Sequence, residues 1–365
     1  MHKRIIIAGG GTGGHIFPAV AVANALRQMH PHIEILFVGA QGKMEMEKVP
    51  KAGYKIIGLD IAGLDRGKWW RNIFLPFKLI SSFLKVRSIF RTFKPEAVFG
   101  VGGYSSFPVL RFAQNVGVPT YIHEANALGG KSNQLLAKRA RKIFVGTAGM
   151  ERFFPASKIL YTGNPVRQEI LAVDKSQDEA LAVFRLSPGK VTLLVIGGSL
   201  GALSINMAVA SRVGFWLEEG FQLIWQTGKS FEAEALSLVD SISGVYVSAF
   251  ISDMNAAYRA ADMVISRSGA MSVTELCLTH KPVIFVPYPF AAEDHQTANA
   301  MALVKKNAAI LVSDKDASRR LMSEALDLAL NKRLRKELSK NIQYLAASDA
   351  DKVIAREILN DIETT

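Results

Sequence analysis

A doubly wound parallel α/β fold, built twice over in two Rossmann-like domains, is the architecture this sequence predicts. Strand-like and helix-like runs alternate throughout, the pattern of a parallel sheet with crossover helices. A strand, a glycine turn and a helix follow one another twice, first from Ile5 and again from Val191. With 365 residues, the chain exceeds what one core ordinarily holds, so about two domains are expected.

The first unit opens with Ile5-Ile6-Ile7-Ala8, a β-branched run that reads as a buried parallel strand. Gly9-Gly10-Gly11-Thr12-Gly13-Gly14-His15 follows, and an Ala- and Val-rich run from Ile16 to Leu26 predicts a helix beginning near His15. Glycines permit a tight turn and close ligand approach. The free N–H groups and dipole of the helix behind them favour an anion, so a phosphorylated ligand is expected here. Gly9, Gly11 and Gly14 satisfy the dinucleotide fingerprint, but that fingerprint also needs an acid at the end of the second strand. The strand 33–38 carries Glu34 at its start instead, and a dinucleotide site has no use for His15. Nicotinamide and flavin binding are therefore set aside.

Further strands are expected near 55–58, 97–100, 119–122 and 142–146, then near 191–196, 222–226, 245–248, 262–265, 282–286 and 308–312. The pattern restarts after Gly163-Asn164-Pro165, which divides the chain into domains at 1–163 and 164–344. Ligands of such sheets bind beyond the carboxyl ends of the strands, so the cleft between two such domains is the expected site.

Composition narrows the class. Half the residues are hydrophobic (49%) and a fifth charged (21%), which is globular rather than disordered. The single cysteine, Cys277, excludes a disulfide framework, fits a reducing compartment and sits in an apolar run as a buried thiol. The start, from Met1 to Ile5, has too short an apolar stretch for a signal peptide, and no window matches a spanning helix. A cytoplasmic protein is expected. The net charge of +12 points to an anionic partner.

Where that charge sits chooses the partner. Residues 66–94 hold eight Lys or Arg, seven aromatics and no acid. Leu79, Phe83, Val86, Phe90 and Phe93 form the inner stripe of an amphipathic crossover helix behind Pro76. Trp69, Trp70, Ile73, Phe74, Phe77, Ile80 and Leu84 are apolar surface beyond that stripe. With Lys78 beside them, they fit contact with an anionic membrane surface. No nucleic-acid motif appears, and nucleic acid is not expected as a partner.

Polar groups gather at other strand ends. Gly102-Gly103-Tyr104-Ser105-Ser106 follows the fourth strand and His123-Glu124-Ala125-Asn126 the fifth; the serines read as helix caps. In the second domain, Ser268 and Gly269 open a helix able to hold a pyrophosphate, and Glu275 lies two turns in, where a carboxylate can accept both ribose hydroxyls. Gln296 and Asn299 suit sugar hydroxyls. Asp314-Lys315-Asp316 and Asp349-Ala350-Asp351 precede helical segments and read as caps rather than metal ligands.

GGGTGGH, GVGGYSS, HEANALGG, GNPVR, IGGSLGA, RSGAMSVTE and PYPFAAEDHQTANA occur in that order. Together they resemble the MurG family, bacterial glycosyltransferases that add N-acetylglucosamine (GlcNAc) to lipid I to make lipid II for peptidoglycan. The resemblance implies the two-domain GT-B fold, a UDP-GlcNAc donor, a lipid I acceptor, no cofactor and no metal. It also implies peripheral attachment to the cytoplasmic face of the membrane and a C-terminal helix near 345–365 packed on the first domain. By motif, donor contacts are implied for Thr12, Gly13, Gly14, Asn126, Arg167, Ser199, Ile251, Ala270, Met271, Ser272, Val273, Thr274, Glu275 and Gln296. Glu275 would hold the ribose and the Ile251 backbone the uracil edge. Tyr104, Glu124 and Asn126 are implied on the acceptor side. His15, an imidazole suited to neutral pH, is the expected general base, with Glu124 its rival. A UDP-sugar epimerase or hydrolase, or a sugar-nucleotide sensor, is the alternative on the same fold.

Overall fold

A computed structural model describes residues 3–61, 75–166, 170, 174–198 and 200–363 of the chain. It divides into two compact units, Met1–Arg167 with Ala347–Thr365, and Gln168–Ala346.

The N-terminal unit holds seven strands: β1 (Arg4–Ala8), β2 (Glu34–Ala40), β3 (Lys55–Leu59), β4 (Ala97–Gly100), β5 (Thr120–Glu124), β6 (Lys142–Val145) and β7 (Ile159–Tyr161). Their order is β3-β2-β1-β4-β5-β6-β7, and every pairing is parallel. The run of isoleucines in β1 has a simple cause, since both sheet faces are covered. Ile5 and Ile7 pack with Val22 and Leu26 of the helix Gly13–Met29 on one face. Ile6 packs with Val86 and Leu110 on the other. Each fully buried isoleucine contributes roughly 1.5–3 kcal/mol.

The helix Ala350–Glu363 completes the first of these faces with Ile354 and Ile358. Polar contacts fix it as well. The Tyr121 hydroxyl donates to Asp361 at 2.7 Å, the Arg141 guanidinium grips both Asp361 oxygens, and Lys142 pairs with Glu357 at 2.6 Å.

The C-terminal unit repeats the plan with β8 (Thr192–Ile196), β9 (Gln222–Gln226), β10 (Val245–Ser248), β11 (Met263–Ser266), β12 (Val283–Phe285) and β13 (Ile310–Leu311), ordered β10-β9-β8-β11-β12-β13. Every neighbouring pair here is parallel too. Cys277 is buried in its core, which pushes the thiol pKa up to about 12. In both sheets the strand order reverses beside the first strand, between β1 and β4 and between β8 and β11. A crevice opens at such a reversal, and the turns at its carboxyl edge face it.

Three local outcomes differ from the sequence reading. β7 was not expected; three half-exposed residues at a sheet edge leave little hydrophobic signal. β5 runs on through His123 to Glu124, so these two residues belong to the strand rather than to the turn after it. The first helix begins at Gly13, with Thr12 at its cap position.

The helix Leu75–Phe93 carries two apolar faces. Val86, Ile89 and Phe90 are buried, while Phe77, Ile80 and Leu84 are 70%, 61% and 63% exposed. The outer three recur at helical spacing on solvent, so the apolar surface here exceeds what the core uses. Trp69, Trp70, Ile73 and Phe74 lie outside the described residues. Lys78 forms an ion pair with Asp60 at 2.9 Å. No helix among the described residues is long and apolar enough to cross a membrane.

Candidate active site

In the N-terminal unit, three strand-end turns converge at the reversal of the sheet. Gly9, Gly10 and Gly11 all have positive φ, a region most residues avoid. The turn after β4 packs directly on this one. A Cβ on Gly103 would lie 2.7 Å from the Gly10 carbonyl oxygen, and one on Gly102 would lie 3.1 Å from His15 Nε2. Only bare backbone allows the two turns to meet this closely, and their meeting sets the His15 imidazole over Gly102. His15 Nδ1 lies 3.1 Å from the Gly10 carbonyl oxygen and 3.3 Å from Thr12 Oγ1. No side chain caps the helix behind them, and no acid stands in its first turn. Its N-terminal N–H groups and dipole therefore favour a negatively charged ligand.

Behind the glycines lies a carboxylate that the sequence reading missed. Glu45 is 1% exposed and accepts the backbone N–H of Gly11 and that of Ala40, each at 2.9 Å. It ties the glycine turn to the end of β2. A Cβ on Gly10 or Gly39 would collide with it, which gives both glycines a second reason. The acid sought at the end of β2 thus comes from the helix Glu45–Lys51 rather than from the strand. It is spent on backbone rather than on a ribose. Its signal was an acid soon after a strand ending in Gly-Ala, which periodicity cannot separate from an ordinary helix start.

Tyr104 stands beside this turn. Burial, and then the nearby Glu45 carboxylate, raise its phenol above the ordinary value, so it remains a neutral donor. The serines do not cap the following helix as expected: Ser105 makes no side-chain cap, and Ser106 Oγ donates instead to the Gly103 carbonyl at 2.8 Å.

Glu124 is 4% exposed, and both its oxygens are engaged. Oε1 accepts from the Asn126 backbone N–H at 3.2 Å and from Asn126 Nδ2 at 3.3 Å. Oε2 accepts from the Gly130 N–H at 2.8 Å and from Asn133 Nδ2 at 2.9 Å. These four bonds occupy the acceptor sites of the carboxylate and shape the loop 125–130. Beside it, His123 is fully enclosed, and burial pushes its pKa down to about 4, so it stays neutral.

The C-terminal unit presents a second set at its own reversal. The helix Ala270–Leu278 follows β11, with Gly269 at its cap position and no side chain capping its N–H groups. Arg267, just before it, pairs with Asp314 at 2.6 Å and donates to the carbonyls of Val286 and Pro287 at 3.0 and 3.1 Å, pinning the ends of three segments. That is what Asp314 does; Asp316 bonds Ser313 and Arg319 and offers no side-chain cap. Ser268 Oγ donates to the Gln296 carbonyl at 2.8 Å, and Asn299 Nδ2 donates to the Ser268 carbonyl at 3.1 Å. Gln296 Oε1 accepts the Tyr288 N–H at 3.0 Å.

On the same helix, Ala270, Met271, Ser272 and Val273 form the opening turn, and Thr274 bonds back to the Ala270 carbonyl. Glu275 accepts the Tyr258 hydroxyl at 3.0 Å. The Ile251 N–H donates to Gln226 Oε1 at 3.1 Å, and Gln226 Nε2 donates to the Gly198 carbonyl at 3.0 Å, so the second glycine turn and the Ile251 loop share one side chain. The Ile251 N–H is thus already engaged within the protein. Glu293 and Asp294 adopt left-handed φ in succession before the helix His295–Val304, a strain of the kind found at ligand sites. Arg167 and Ser199 lie outside the described residues.

Sequence comparisons agree with this geometry. Residues 5–145 match the glycosyltransferase family 28 N-terminal domain and residues 192–355 its C-terminal domain. The chain is 52% identical over 358 residues to a Phocaeicola vulgatus protein named UDP-N-acetylglucosamine--N-acetylmuramyl-(pentapeptide) pyrophosphoryl-undecaprenol N-acetylglucosamine transferase, covering 97% of this chain and 95% of that one. The crystal structure of Acinetobacter baumannii MurG superposes with a TM-score of 0.80 at 28% identity, covering 98% of this chain and 99% of that one. A UDP-N-acetylglucosamine 2-epimerase structure superposes at 0.71 with 15% identity, covering 100% and 98%, and shares the fold alone.

Proposed function

The chain belongs to the MurG family of glycosyltransferases, and we propose from that premise that His15 is the base of its reaction and Glu124 the scaffold beside it. It is an N-acetylglucosaminyltransferase of the GT-B fold, moving GlcNAc from UDP-GlcNAc to lipid I to form lipid II for the cell wall. The epimerase, hydrolase and sensor readings are not favoured, because half the residues are identical to those of a named transferase along the whole chain.

In the reading we favour, the MurNAc 4-hydroxyl attacks the anomeric carbon in line and inverts it. His15 takes the hydroxyl proton as the bond forms. The observation that carries this assignment is the contrast between the two candidates. The His15 imidazole is set over Gly102 with its Nε2 edge at the turn, whereas all the Glu124 hydrogen bonds hold its own loop. Neutral Tyr104 supplies a donor on the acceptor side, and Asn126 a second polar group. Thr12, Gly13 and Gly14 offer helix N–H groups to phosphate.

On the donor side, the uncapped N–H groups from Ala270 to Ser272 meet the UDP diphosphate and stabilise the charge that grows as UDP leaves. Arg167 and Ser199 add to this by motif. Glu275, oriented by Tyr258, accepts the ribose hydroxyls, while Gln296 meets the sugar. No step uses a metal or a cofactor.

The exposed Phe77, Ile80 and Leu84, with the basic residues around them, support peripheral attachment to an anionic membrane surface on its cytoplasmic face, where the acceptor's lipid is anchored. The test is UDP release from UDP-GlcNAc with and without a lipid I analogue, in excess chelator. Acceptor-dependent release with a disaccharide product is expected. Release without acceptor, or loss of turnover on chelation, overturns the reading.

A further inference from the structure

The C-terminal unit contains a second basic site. A cavity of about 220 Å³ is lined by Asn255, Tyr258, Arg259, Leu278, His280 and Lys281, among others. Arg259 stands just before β11, and His280 and Lys281 just before β12, so these cations lie toward the sheet edge opposite Ser266 and Gly269. Nothing in the transfer reaction described above uses them.

Three observations point to an anion there. First, Arg259, His280 and Lys281 bring three basic groups to one small cavity. Of the acids near them, Asp262 Oδ2 accepts the Thr192 N–H at 2.8 Å and Glu275 accepts from Tyr258. Second, the Lys281 amine is largely buried and makes no ion pair among the described residues. Its amine donates to the Ala261 carbonyl at 2.7 Å, yet burial, with Arg259 adding repulsion against the pull of Asp262, brings its pKa down to about 8. Third, the left-handed φ of +55° at His280 ends the helix Ala270–Leu278, with the His280 N–H on the Cys277 carbonyl and the Lys281 N–H on the Leu276 carbonyl, and this stop brings both side chains to the cavity.

We propose that this cavity binds a phosphate group, as inorganic phosphate or a small phosphate monoester, between Arg259, Lys281 and His280, and that its occupancy tunes the donor helix. Arg259 is a permanent cation, and a dianion beside it would draw protons onto Lys281 and His280. The volume, below that of sites for drug-sized ligands, suits a small anion. Tyr258 carries the coupling, since it lines the cavity and its hydroxyl holds Glu275. The helix Ala270–Leu278 ends at the cavity with Leu278. This second half rests on the reading that Glu275 holds the ribose; the binding half does not.

The test uses the full chain labelled at histidine, with the His280 imidazole signal assigned through His280→Gln. Inorganic phosphate is titrated against sodium chloride of equal ionic strength. A saturable His280 shift is expected with phosphate only, weakened at least about tenfold in Arg259→Gln and in Lys281→Met. A shift that chloride reproduces, or that survives in both variants, overturns the site. UDP binding is then measured by calorimetry with and without saturating phosphate. A change of several-fold in the wild type, beyond the direct competition that Arg259→Gln retains, is expected. Equal effects in the two proteins overturn the coupling. Glu275→Gln, measured without phosphate, tests the ribose reading separately through its UDP affinity.

Discussion

Glu124→Gln separates a scaffold from a base. A glutamine offers one carbonyl where the carboxylate offers two oxygens. Whichever way the amide turns, its NH₂ faces two donors, either the two of Asn126 or those of Gly130 and Asn133. Each buried N–H left without an acceptor costs about 1–3 kcal/mol, so the loop 125–130 loses roughly 2–6 kcal/mol of local stability. The assay is hydrogen exchange on a peptide spanning 124–134, read beside kcat and KM. Even the lower bound corresponds to exchange about thirtyfold faster at the Asn126 and Gly130 amides, together with a raised KM. If exchange stays at the wild-type rate while kcat alone drops by about 10²–10⁴, Glu124 is the general base and the argument fails.

His15→Asn is expected to lower kcat by about 10²–10⁴ with UDP affinity unchanged by calorimetry; a kcat within about threefold of wild type would remove His15 from the chemistry. His123 has a folded pKa of about 4 against an ordinary 6.5, so between these values the unfolded chain binds a proton that the folded chain refuses. Stability is therefore lost as pH falls from 6.5 toward 4, and the loss between pH 7 and 5 in urea unfolding should shrink by about 2 kcal/mol in His123→Gln. Gly103→Ala combines φ +80° with a Cβ 2.7 Å from the Gly10 carbonyl oxygen. A cost of about 3 kcal/mol and a Tm lower by roughly 10 °C are expected, and an unchanged Tm would show that the two turns are not locked together. Replacing exposed Phe77 and Leu84 with serine should leave Tm in place but cut binding to anionic vesicles at least about tenfold in a flotation assay. Undiminished vesicle binding would move the membrane contact elsewhere.

The sequence by itself determined the fold class, the repeat and the strand-end turns. Buried parallel strands write continuous apolar runs, and glycine turns between a strand and a helix leave a local mark, so β1 with Gly9–Gly11 and β8 with Gly197-Gly198 could be read without any long-range information. The same local logic located His15, the Ala270 helix and the two-faced helix at 75–93. What it could not determine was which polar groups are spent on the protein itself. Glu45 and Glu124 look alike as acids near strand ends. Only the packing reveals that one ties the glycine turn to β2 and that the other holds its own loop with four hydrogen bonds. Likewise, Tyr258 meets Glu275 across 17 positions, and Gln226 joins the second glycine turn to Ile251. These partners are distant in the chain and carry no periodic signal. A hydrogen bond depends on where two atoms finish in space, and that position is settled when the sheets and helices pack.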